Sequence, residues 1–223
     1  VTVACPTVVA AWTAFLALGI LPSSAAQTPE TAEPVRLSLG VSIGTSVFSG
    51  AARGIGDGGE QLLFLPYRPT IFGVGIGYGG NALRLEGTAG VGAAGLAIRG
   101  AEAPDEMGNQ GLLIVIENAF RVRAFSGGAS VRLGRLRGGP VLRASGAALV
   151  ESWTSPGTPA RTVVGIQAGL AMEVELTRSL AARAEGTLGF SPASPFRQRD
   201  LPEGFRQSGT WRRSLGVGVS WRP

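Results

Sequence analysis

The chain has no histidine and no lysine, and its one cysteine is Cys5. The missing histidine removes the commonest general base and the commonest metal ligand together. A lone cysteine forms no disulfide within the chain and no thiolate metal site. It also lacks the Leu-Ala-Gly type of sequence that would precede a lipid-attachment cysteine. Charge is scarce as well, at 16% of residues. All 20 basic residues are arginines, scattered singly and without interleaved aromatics, so no nucleic-acid partner is expected. No cofactor and no metal are expected.

What is abundant is glycine, 35 of 223 residues, alongside a hydrophobic content of 44%. The length suits one sizeable domain. Near the start, VVAAWTAFLALGIL (8–21) is an apolar run of signal-peptide length, too short to cross a bilayer comfortably as a helix. No Lys or Arg precedes it, and Ser24-Ala25-Ala26 follows it with small residues where a signal peptidase reads. We expect a signal peptide over 1–26, cleaved after Ala26, and a short periplasmic linker over 27–34.

From residue 35 onward the hydrophobic period is two. Val35, Leu37, Leu39, Val41, Ile43 and Val47 alternate with Arg36, Ser38, Gly40, Ser42, Gly44 and Ser46. The same alternation marks strands around Phe72–Tyr78, Leu83–Val91, Leu142–Val150, Val164–Leu176, Leu180–Phe190 and Trp211–Trp221. A less regular strand holds Phe120, Val122 and Ala124 on one face, then shifts phase to Ala129, Val131 and Leu133. Gly127-Gly128 between them predicts a β-bulge. Eight strands result, none with helical spacing. Short connections at Gly79-Gly80-Asn81, at 134–139 and at Thr177-Arg178-Ser179 alternate with longer ones, roughly 49–70, 94–111, 153–161 and 191–209. Short turns on one rim and long loops on the other are the plan of a transmembrane β-barrel.

The faces decide which solvent surrounds the barrel. In VVGIQAGLAMEVEL (163–176) the seven even positions are wholly apolar, while Gln167, Glu173 and Glu175 are odd. A membrane barrel turns such an apolar face to lipid and the polar face inward. Trp211 and Trp221 share one face ten residues apart. At about 3.3 Å per residue and a tilt of about 40°, they project to roughly 25 Å along the membrane normal, the height of the apolar band. Tyr78, Trp211 and Trp221 are the expected membrane-interface aromatics. Residues 35–223 are therefore expected to form an all-β, eight-stranded antiparallel up-and-down transmembrane β-barrel, with short periplasmic turns and four longer extracellular loops.

With that signal segment and that strand pattern, the chain resembles the eight-stranded outer-membrane β-barrels of Gram-negative bacteria, the OmpA/OmpX type. The resemblance is architectural and covers residues 35–222. It implies residence in the bacterial outer membrane and contact with its lipid and lipopolysaccharide. It also implies insertion by the barrel-assembly machinery, which reads a terminal aromatic residue; here Trp221 is followed by Arg222 and Pro223.

Two catalytic motifs fail on chemistry. Gly40-Val41-Ser42-Ile43-Gly44 fits G-x-S-x-G, but no His or Lys exists to activate the serine, and the alternation runs straight through it. Gly75–Gly80 fits G-x-G-x-x-G, but no phosphate-binding helix follows. The inward set is Arg36, Arg84, Glu86, Arg143, Gln167, Glu173, Glu175, Arg183, Glu185 and Arg212. Glu173 and Glu175 could be a catalytic pair; the reading favoured here is a salt-bridge network filling a narrow lumen, since buried charges must be paired. We expect no enzyme, but a monomeric anchor with a structural or adhesin-like role and an extracellular ligand engaged through its loops. The alternative is a narrow porin-like channel, its lumen left partly open by inward glycines such as Gly73, Gly75, Gly77, Gly165, Gly169, Gly216 and Gly218. A lipid-modifying enzyme and a soluble periplasmic binding barrel rank lower.

Overall fold

The computed structural model describes residues 36–56, 59, 61–100, 113–136 and 139–223, so the expected signal peptide and linker lie outside the described residues. Eight strands follow one another: β1 (Arg36–Ile55), β2 (Gln61–Gly79), β3 (Leu83–Gly100), β4 (Leu113–Arg135), β5 (Val141–Thr154), β6 (Arg161–Glu175), β7 (Leu180–Ser191) and β8 (Arg206–Trp221). Each pairs antiparallel with the next, and β8 pairs with β1 from Leu39↔Trp221 to Arg53↔Arg206, which closes the ring. Closure lets a strand cross a membrane, because every ladder hydrogen bond finds a partner without water.

The faces are inverted relative to a soluble core. On β6, Val164, Ile166, Leu170, Met172 and Val174 point outward and stay exposed, Ile166 at 67%. Val163, Ala171 and Glu173 between them are buried. On β8, Leu215, Val217 and Val219 are outward, Leu215 at 71%, while Arg212 is buried. With no protein against it, this apolar belt needs an apolar solvent, and lipid supplies one. The sequence GVSIG lies in the uninterrupted run of β1, and Gly75–Gly79 lies in β2, so neither motif sits at a turn into a helix.

Residues 80–82 and 176–179 make short turns at one end, where β4 also ends at Arg135 and β5 begins at Val141. At the other end the first connection is much shorter than expected. β1 runs on to Ile55 and β2 begins at Gln61, so the stretch read as a loop over 49–70 is mostly strand. Two features hid it. Leu62, Leu63, Phe64 and Leu65 are apolar on both faces, and Pro66 and Pro69 interrupt the pattern. The ladder shifts register at this level, between Thr45 and Ala52 in β1, Tyr67 and Thr70 in β2, and Ala94 and Leu96 in β3. Ala51, Arg68 and Asn118 take positive φ of 110°, 40° and 53° there, unusual for side-chain-bearing residues. β1 to β4 have 20, 19, 18 and 23 residues, against the roughly 9–11 that cross a bilayer. They form a wall raised beyond the belt at the loop end.

The bulge expected at Gly127-Gly128 is absent. Register is continuous from Arg121↔Thr154 to Arg132↔Arg143, and shifts only between Arg132 and Gly134. Phe120, Val122, Ala124, Ser126, Gly128 and Ser130 are one unbroken inward face whose chemistry changes from apolar to polar. Gly128 serves close approach: a Cβ there would strike the backbone of Gly146 and Ala147 on β5.

Candidate functional site

The candidate site is the lumen, which has three levels. At the turn end, guanidinium groups from four strands and the C-terminal segment gather around four carboxylates. Arg84 on β3 donates to Glu173 on β6 at 3.2 Å, and both are buried. Arg222, just past β8, also pairs with Glu173 and lies 3.6 Å from Glu175. Arg183 on β7 donates to Glu86 at 2.9 Å and pairs with Glu185 at 3.0 Å. Arg143 is the most deeply buried of the set at 1% exposure. It reaches no carboxylate directly. Its Nε donates to Ser130 Oγ at 3.0 Å, its two Nη atoms donate to the carbonyls of Asn81 and Ser130, and Ser130 Oγ donates onward to Glu86 at 2.6 Å. The serine hydroxyl relays between cation and anion. Glu175 stands at the exposed rim with Arg135, 3.4 Å away. Arg36, the first residue of β1, is exposed and joins none of these ion pairs.

Above this level the lumen opens into a cavity of about 280 Å³, lined by hydroxyls and glycines such as Ser42, Gly75, Thr88, Ser126, Gly216 and Gly218. Thr88 and Ser126, ladder partners on its β3–β4 wall, have hydroxyls 2.7 Å apart. The interior is therefore not filled throughout; inward glycines leave room for several waters.

The third level closes the loop end. Arg212 on β8 pairs with Glu151 on β5, and its second Nη donates to Gln167 Oε1 at 2.8 Å. Directly above, Phe48, Val122, Trp153 and Val163 form a buried apolar cluster, joined by Ile71 and Phe120. Trp153 meets Phe48 edge-on at 5.7 Å and Phe120 at 6.2 Å. Phe196, from the 192–205 connection, packs on Phe120 at 5.7 Å and on Ala51 and Ala52 of the raised wall. Phe205 of the same connection lies 4.8 Å from Phe64. The connection is pinned: Gln207 donates to the Phe196 carbonyl at 2.8 Å and Gln198 to the Phe205 carbonyl at 2.6 Å. Arg161 donates to the Ser194 carbonyl at 3.4 Å. This segment, read as a surface loop, is folded into the mouth.

Of the residues singled out in the sequence, Arg84, Glu86, Glu173, Glu175, Arg183 and Glu185 gather at the turn end, and Gln167 and Arg212 at the loop end. Ser130, Arg222 and the aromatic plug were missed, although phase could have found them. Phe48 continues the face of Ser42 and Ser46, Trp153 that of Arg143 and Glu151, and Arg222 that of Arg212 and Ser214. On the outside, Tyr78 and Trp221 are exposed near the turn end and Trp211 near the loop end, where its ring lies 4.8 Å from Phe190. No group of three or more His, Cys, Asp or Glu able to hold a metal exists among the described residues.

A closed ring of eight antiparallel strands, apolar outside, charged inside, turned tightly at one end and looped at the other, is the fold of the OmpA/OmpX-type outer-membrane β-barrels. Among solved structures, Neisserial surface protein A aligns with a TM-score of 0.52 at 12% identity, covering 85% of this chain and 99% of that one. The outer membrane protein OprG from Pseudomonas aeruginosa aligns with a TM-score of 0.49 at 8% identity, covering 86% of this chain and 97% of that one. At such identities the likeness is one of fold. No protein-family model and no curated protein matches the chain.

Proposed function

We propose that the protein is an integral outer-membrane protein whose barrel is a closed anchor, displaying the raised wall of β1 to β4 to the cell exterior. The observation that carries this reading is the double closure of the lumen. Phe48, Val122, Trp153 and Phe196 are buried at the loop end, and Arg84, Arg143 and Glu173 at the turn end. An ion entering from the loop side would have to pass desolvated aromatic surface before it reached Arg212 or Glu151, at a cost water cannot offset. The charged groups inside are each engaged by a partner, which is the arrangement of a structural network and not of a general acid or base waiting for substrate. The protein would act without a cofactor, as a monomer surrounded by lipid and lipopolysaccharide, inserted by the barrel-assembly machinery. Its contacts with an extracellular ligand would be made by the loop end.

A narrow channel is the second reading, and the cavity of about 280 Å³ favours it. Planar-bilayer recording of the folded, heat-modifiable protein separates the two. A closed anchor leaves the membrane silent. Reproducible single-channel steps that change with Glu151→Gln would establish the channel.

A further inference from the structure

On the outer wall at the loop end, Arg68 on β2 and Arg121 and Arg123 on β4 are exposed, and among the described residues none of them has an ion-pair partner. The interior arginines Arg84, Arg183, Arg212 and Arg222 are all paired with carboxylates. We propose that Arg68, Arg121 and Arg123 form a binding site for the phosphate of an anionic lipid headgroup in the leaflet on the loop side. The proposal rests on the membrane reading above and adds a specific lipid contact to it.

Position comes first. On β4 the outward residues below Arg123 are Phe125, Gly127, Ala129, Val131 and Leu133, none of them polar. That run spans roughly 20 Å along the membrane normal. Arg123 and Arg121 are the first charges above it, where acyl chains give way to headgroups. Their ladder partners on β5 are Ser152 and Thr154, which add two hydroxyls on the same face.

Geometry comes second. β3 runs between the arginines: Val91 pairs with Arg123 at the lower edge, and beyond it only small side chains stand, Ala93 between Thr70 and Arg121 and Gly95 beside Tyr67. β2 and β4 are about 10 Å apart over this floor, a gap that arginine stems reach across. The register shift between Tyr67 and Thr70 brings Arg68 onto the outer face, with its guanidinium 5.2 Å above the Tyr67 ring. The ring holds the group in place while leaving its edge donors free. Three unpaired guanidinium groups in this arrangement repel one another, and a multi-oxygen anion relieves the repulsion through charge-assisted, forked hydrogen bonds. Glu117, the exposed carboxylate further along β4, makes no ion pair with them.

The test uses the folded barrel in maltoside micelles, which carry no phosphate, with native mass spectrometry to count lipids retained. Diphosphoryl lipid A is expected to stay bound one per barrel, and its dephosphorylated form to dissociate. Arg121→Ala alone should weaken retention about tenfold, a typical loss for one charge-assisted bond. R68A/R121A/R123A should abolish it, while R53A/R99A/R206A, nearer the loop-end tips of β1, β3 and β8, should leave it unchanged. R68K/R121K/R123K should restore part of the affinity and serves if the alanine variant folds poorly. Equal binding of the dephosphorylated lipid, unchanged retention in R68A/R121A/R123A, or equal loss in R53A/R99A/R206A would overturn the site. Heat-modifiable incorporation of the unaltered protein into zwitterionic bilayers tests the membrane reading separately.

Discussion

Arg84 on β3 and Glu173 on β6, three strands apart in the ring, meet across the lumen at 3.2 Å with both side chains buried. The pair ties two walls that share no ladder hydrogen bond. Arg222 engages the same carboxylate, so one anion offsets two cations. Glu173→Ala leaves the Arg84 guanidinium buried without its anion and Arg222 with Glu175 in place of two carboxylates, and should destabilise the barrel by about 3–5 kcal/mol. Urea unfolding in micelles measures it. The double variant Arg84→Ala/Glu173→Ala should cost less than the sum of the single changes, because the two residues are coupled.

Trp153 is the centre of the loop-end plug, edge-on to both Phe48 and Phe120. Trp153→Ala should cost about 3–5 kcal/mol, as deletion of a large buried aromatic does. It should also open the cavity beneath. No cysteine follows Cys5, so a single Ser126→Cys reports the opening without background. Its modification by a water-soluble thiol reagent should be faster in the Trp153→Ala background than in the parent.

Leu170 lies mid-strand on the outer face of β6. Leu170→Arg should cost about 2–4 kcal/mol in a lipid bilayer. Ser126→Arg, which points into the polar cavity of about 280 Å³, should cost less. The order would reverse if the outer face met water, and urea titration of both variants in vesicles checks it.

Where lipid touches the protein, the sequence is legible. β5 to β8 alternate cleanly because outward and inward positions face different solvents, and Val150, Val164, Ala184 and Leu215 are all exposed as their phase requires. Legibility fails where that contrast ends. Beyond the belt, Phe64 packs inward while Leu63 and Leu65 lie on the other face, so both sides are apolar and period two disappears. Phe120 and Val122 looked out of phase because the plug makes the inner face apolar too. The glycine pair beside them suggested a bulge, yet Gly128 serves strand approach. The fold of the 192–205 connection into the mouth left no periodic trace, since Phe196 and Phe205 are held by tertiary contacts alone.

Nitroxide scanning along β6 tests the central claim, that the barrel is inverted in a membrane, most directly. Single cysteines at each position from 163 to 174 are labelled, the protein is folded into phospholipid vesicles, and accessibility to oxygen and to a water-soluble nickel chelate is measured. Oxygen accessibility should peak at Val164, Ile166, Ala168, Leu170, Met172 and Val174 and fall at the odd positions, with nickel chelate excluded from the even ones. Even positions closed to oxygen, with odd positions open to nickel chelate, would show an apolar interior and contradict the account.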